Sequence, residues 1–198
     1  MKRHSAQSSL LTKSMHFARN NMAHIRLPEG VPGIVGLLNQ FPDSAQHLSG
    51  LAQSVLRGPS SLSEAEREVI ASYVSAGNEC RFCTSSHAAA ARHLLSDRSE
   101  IVDAVIADLE NAPVDAKLKA LLTIAGKVRR DGRTVTPEDV HTARMAGADD
   151  KAIHDTVLIA AMFCMYNRYV DGLATLTPQD PELYREMGKR LATQGYVG

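Results

Sequence analysis

The chain has 198 residues, with 22 Lys or Arg against 22 Asp or Glu, so its formal net charge is zero. That length fits one domain with an extension, and a hydrophobic content of 44% excludes wholesale disorder. Zero net charge removes any broad attraction to nucleic acid or acidic membranes, and three cysteines are too few for a disulfide scaffold.

The balance is uneven along the chain. Residues 1–60 hold six Lys/Arg and two Asp/Glu, and residues 61–198 hold sixteen and twenty. A basic arm packing on an acidic body accounts for this, since no aromatic or Gly/Arg pattern accompanies the charge. Lys2 and Arg3 are followed only by Leu10 and Leu11 as adjacent large apolar residues, too short a run for a secretory signal peptide. Pro28, Gly30, Pro32 and Gly33 make the start irregular. The expected organisation is an arm over 1–34, a helical core over 35–177 and a C-terminal helix over 178–198.

Beyond the arm, almost every segment reads helical. Ile34–Leu38 and Ala45–Leu56 are two short helices split at Phe41-Pro42. Ser63 and Glu66 form a capping box, ahead of a helix with Val69, Ile70, Tyr73 and Val74 at 3-and-4 spacing. Gly77-Asn78 reads as a stop and a restart, with Asn78 as N-cap of an Ala-rich helix from about Glu79 to Leu95. Ser99 caps a fifth helix, and Pro113 opens a sixth that ends near Asp131-Gly132. Thr136-Pro137 opens a seventh. Asp149 or Asp150 opens a long eighth, apolar nearly all round from Val157 to Tyr166 and therefore expected to be buried, with Cys164 in the core. That run is too short to cross a bilayer, which needs about 20 residues. Asp180-Pro181 opens the last helix. No alternating strand and no fixed repeat is present, so the fold class is all-α. The chain reads as soluble and cytoplasmic, where a Cys-x-x-Cys is catalytic or metal-binding rather than a static bridge. A thioredoxin setting would need a βαβ unit.

Cys80, Cys83 and His87 lie at i, i+3 and i+7, on one face of a helix that continues through Ala90 and Ala91. Small residues there let another helix come close. Placed in the first turn, Cys80 would have its thiolate stabilised by free backbone N–H groups and the helix dipole. Cys83 gains less from the dipole but has His87 one turn on, able to accept the thiol proton. Glu68 is ten residues before position 78 and His87 nine after it. In an antiparallel hairpin both sit roughly 14 Å from the turn, at ~1.5 Å per residue. Ala65 and Ser72 flank Glu68 and leave it room to orient the imidazole.

Glu68, eleven residues, Cys80-Arg81-Phe82-Cys83, three residues and His87 together resemble the core signature of the alkylhydroperoxidase AhpD family. The run from Ser75 to Arg92 resembles the peroxidase-related branch of the carboxymuconolactone decarboxylase-like superfamily. The resemblance implies an all-α AhpD-like fold and a thiol-dependent peroxidase. In that scheme Cys83 attacks a small hydroperoxide, Cys80 resolves the sulfenic acid to a disulfide, and Glu68 and His87 relay the proton. It implies a dithiol or protein reductant, no cofactor and no metal, no nucleic-acid or membrane partner, and a homo-oligomer, a trimer or a hexamer. One position departs: the best-studied branch has a second His just before the second cysteine, and here it is Phe82. Phe82, Tyr73 and Met162-Phe163 offer an apolar entrance for organic peroxides.

Other readings stay open on the residues alone. The dithiol could exchange with disulfides without meeting peroxide, or serve a redox- or metal-sensing module. A Cys2His zinc site is weaker, because three ligands on one regular helix converge poorly on one ion. A decarboxylase role is weaker too, because decarboxylase members generally lack the cysteine pair. The methionines read as core filler.

Overall fold

Side chains that cap helix starts set the architecture. A computed structural model of the chain describes residues 23–197. The described part holds nine α-helices: α1 (Gly33–Gln40), α2 (Pro42–Arg57), α3 (Glu64–Gly77), α4 (Arg81–Leu95), α5 (Glu100–Ala107), α6 (Ala116–Asp131), α7 (Pro137–Met145), α8 (Asp150–Gly172) and α9 (Pro181–Gln194). Two short 3-10 turns follow α4 and α6, and no strand occurs among the described residues. The readings on Lys2 to Ser14, and most of the arm, lie outside those residues; 23–32 is irregular.

The capping box at Ser63 is present, with Glu66 Oε2 accepting from the Ser63 N–H at 2.7 Å. Thr136 and Asp139 form a second box, and Asp149 and Asp180 cap α8 and α9. Several starts differ from expectation, among them those of α6 and α5. Asp115, not Pro113, opens α6, because its Oδ1 accepts the Leu118 N–H at 2.7 Å and leaves the proline in the preceding loop. Ser99 has helical backbone angles itself and caps nothing with its side chain.

Helices α3 and α4 form an antiparallel hairpin, and α6 and α8 pack on α3. Val69, Ile70, Val74, Leu121, Ile124, Ile159 and Phe163 fill the shared core with almost no exposure. Each such side chain contributes ~1.5–3 kcal/mol by leaving water. Helix α9 lies along α4, with Gly188 facing Ala89 and Ala90. The approach is at Ala89, on a different side of α4 from the face of Cys80, His87 and Ala91 where the sequence predicts a close neighbour.

Helix α8 is not buried all round. Ile159, Met162, Phe163 and Tyr166 face the core, whereas Ala161 and Met165 on the opposite side are exposed. The apolar run is wider than the face α3 and α6 cover. Met165 and Met145 are surface residues rather than filler, Met145 with 75% of its area exposed. Among the described residues no helix is long and apolar enough to cross a membrane.

Candidate active site

The turn between α3 and α4 is built from a helix end. Glu79 adopts the left-handed conformation, φ 61°. The Glu79 N–H donates to Ala76 O at 2.9 Å and the Cys80 N–H to Ser75 O at 3.1 Å. This is a Schellman pair with a glutamate where glycine is usual. The glycine, Gly77, sits two residues earlier instead, where a Cβ would lie 2.6 Å from Arg129 Nε. Asn78 is therefore the C-cap of α3, not the N-cap of α4. Its amide donates to Asn167 Oδ1 at 2.8 Å, and Asn167 Nδ2 donates to Ser75 Oγ at 3.1 Å. Buried Asn167 on α8 thus pins the turn from behind.

Cys80 becomes the N-cap of α4, and Cys83 sits within its first turn. Both thiols are free and buried, with 0% and 3% exposure. They lie in a small apolar cluster with Phe82, Val170 and Tyr184. Phe82 packs on Gly33, whose φ of 53° and absent Cβ admit the ring: a Cβ there would lie 2.1 Å from it. Dipole stabilisation of a Cys80 thiolate is not what the structure shows. Its thiol is pushed up, first by its hydrogen bond with the Cys83 thiol, then by burial, with the Asp171 carboxylate adding to it. As the cap, Cys80 stands outside the first turn, where the dipole acts most strongly. Asp171 is itself an exposed residue, and partial desolvation pushes its carboxyl up.

Glu68 and His87 meet across the hairpin, Oε2 to Nδ1 at 2.8 Å. Glu68 is fully buried, and two residues that the sequence reading did not name complete its surroundings. Arg57 Nη2 and Tyr196 Oη each donate to Oε1 at 2.5 Å. Burial drives the Glu68 carboxyl upward, but His87, Arg57 and Tyr196 outweigh it and hold the group below its usual range. An ionised carboxylate only accepts, so the imidazole proton lies on Nδ1 and Nε2 is the basic nitrogen. Arg67, next to Glu68 in the chain, donates instead to Val55 O and Gly58 O, and Arg92 pairs with Asp103. Arg57 and Tyr196 left no local signal, since one closes α2 and the other lies 128 residues from Glu68. Asp171 was missed for the same reason.

An apolar cavity of about 570 Å³ reaches His87. His87, Phe82, Phe163, Tyr166, Met187 and Tyr196 are among its walls. Of the expected entrance residues Phe82 and Phe163 line it, but Tyr73 and Met162 do not, and neither cysteine does. Cys164 is half-buried and packs against the core from its edge, its sulfur 3.5 Å from Asn78 Nδ2. Among the described residues no group of three or more His, Cys, Asp or Glu side chains is arranged around a common metal position.

The fold is all-α and AhpD-like. It is similar to a crystal structure with the alkylhydroperoxidase AhpD core, an uncharacterized peroxidase-related protein from Ralstonia eutropha JMP134. That likeness has a TM-score of 0.74 and 23% identity, and covers 84% of this chain and 96% of that one. A second peroxidase-related protein, from Silicibacter sp. TM1040, has a TM-score of 0.69 and 24% identity over 89% of this chain and 87% of its own. At these identities the likeness is one of fold. Residues 42–121 match the family model of the carboxymuconolactone decarboxylase family. That stretch contains Glu68, Cys80, Cys83 and His87. No curated protein matches the chain in sequence.

Proposed function

We propose that the protein is a thiol-dependent peroxidase that reduces small hydroperoxides, with Cys83 as the attacking sulfur, Cys80 as the resolving one and Glu68–His87 as the proton relay. The observation that carries this reading is the buried Glu68–His87 contact at 2.8 Å, one helical turn beyond Cys83. His87 Nε2 takes the Cys83 thiol proton. The thiolate attacks a peroxide oxygen, an S–O bond forms, the O–O bond breaks, and sulfur gives up two electrons. The alkoxide leaves with the proton from the imidazolium, as an alcohol. Cys80 loses its proton and attacks the sulfenic sulfur. The S–S bond forms, and the departing hydroxide takes that proton to become water. A dithiol reductant then restores both thiols. With Phe82 where a second histidine would stand, His87 carries the proton alone.

The test is hydroperoxide consumption with a dithiol reductant. Wild type is expected to turn over and to lose two thiols per chain when oxidised without reductant. Cys83→Ser is expected to abolish consumption, and Cys80→Ser to stop at a sulfenic acid that a dimedone-type probe captures. A wild type that exchanges disulfides but leaves peroxide untouched would transfer the assignment to dithiol–disulfide exchange. The proposal includes a homo-oligomer, for which the exposed side of α8 at Ala161 and Met165 offers apolar surface.

A further inference from the structure

The two oxygens of Glu68 have divided roles. Oε1 is occupied by Arg57 and Tyr196, both at 2.5 Å, and Oε2 faces His87. We propose that Tyr196 is a positioning residue of this site: its hydroxyl and ring fix the carboxylate and the imidazole in one arrangement, with Nε2 left as the basic nitrogen. The proposal rests on reading Glu68–His87 as the relay.

The phenol has one hydrogen to give. Its oxygen is 2.5 Å from Glu68 Oε1 and 3.3 Å from His87 Nδ1, so the hydrogen goes to the carboxylate. The carboxylate is thereby tethered at Oε1 from two sides and presents Oε2 to Nδ1. The Tyr196 ring lies nearly parallel to the imidazole, at 10° and 6.1 Å between centroids. Phe163 meets the same imidazole edge-on at 4.5 Å. The imidazole therefore has aromatic neighbours from two different elements, and rotating it breaks both contacts.

The segment after α9 is itself tied to α2. The Tyr196 N–H donates to Gln53 Oε1 at 2.8 Å, and the Arg57 guanidinium lies over the Tyr196 ring, 5.1 Å from its centroid. Gln53 and Arg57 are one turn apart on α2. The charged or titratable groups around Glu68 are thus Arg57, His87 and Tyr196, with Glu64 3.6 Å from Arg57 Nε. Packing alone does not call for a hydroxyl here. Phenylalanine would fill the same volume, and a buried hydroxyl is costly unless it makes the bonds this one makes.

The test is Tyr196→Phe in the full chain, read by 15N NMR of the His87 ring, by thermal unfolding and by peroxide kinetics. The expected result is a folded protein whose neutral His87 is no longer a single Nδ1–H tautomer. The turnover number should fall about tenfold, a fraction of the 10²–10⁴ a whole general base supplies, with KM for peroxide unchanged. Gln53→Ala, which frees the segment without touching Glu68, should move the tautomer balance in the same direction and decides the matter if Tyr196→Phe does not fold. A tautomer unchanged in both variants, or a loss of stability alone, overturns the proposal. The NMR readout needs no turnover, so a wild type inactive toward peroxide would refute the peroxidase reading and leave this measurement decisive.

Discussion

Glu68 carries a full charge at a position with no exposed area. Desolvating a carboxylate costs several kcal/mol even after relaxation, and Arg57, His87 and Tyr196 offset that cost together. Removing the charge takes from Arg57 its 2.5 Å partner and leaves only Glu64 at 3.6 Å, so Glu68→Gln should destabilise the fold by about 3 kcal/mol in urea unfolding. Because its carboxyl is held below the usual value of 4.5, the stabilisation is complete above that pH and is lost as pH falls through the folded-state value. Unfolding free energy measured between pH 6 and pH 3 should therefore drop more steeply in wild type than in Glu68→Gln. Equal slopes would show that the acid sensitivity comes from other carboxylates.

At the scale of elements, the turn after α3 is the informative one. Glu79 occupies a left-handed position that costs an L-residue with a Cβ ~1–2 kcal/mol. Glu79→Gly should relieve most of this, less the entropy glycine loses on folding, for a net gain of about 0.5–1 kcal/mol in chemical denaturation. A neutral or destabilising result would mean that the glutamate side chain holds the turn. Helix starts were readable in the sequence wherever a side chain caps them locally, as at Ser63, Thr136 and Asp180. The α3–α4 turn was misread because Gly77 is a glycine for another reason: the Arg129 side chain from α6 covers its Cα. That reason lies 52 residues away, as does nothing a local spacing rule can see. The exposed side of α8 was misread similarly, since periodicity reports how wide an apolar face is and not how much of it neighbours cover.

At the scale of the whole molecule, the site is assembled from pieces with different visibility. Glu68 and His87 share one hairpin, so counting residues from the turn placed them opposite each other. Arg57 and Tyr196 reach the same carboxylate through the packing of α2 and of the segment after α9, which leaves no periodic trace. Helix α9 is held on α4 at Gly188, where a Cβ would fall 2.5 Å from the Ala89 backbone. Gly188→Leu should lift α9, at a cost of about 1–3 kcal/mol. Hydrogen exchange should then speed up across 181–197 while α3, α6 and α8 keep their protection.

The burial of both sulfurs sets a tempo as well as a shape. With almost no area open to solvent, neither Cys80 nor Cys83 can meet a reagent until the cluster of Phe82, Val170 and Tyr184 parts. Each encounter is then preceded by an opening whose frequency belongs to the protein. At high reagent concentration the reaction of these thiols becomes independent of how much reagent is present, and the molecule's own breathing becomes its clock.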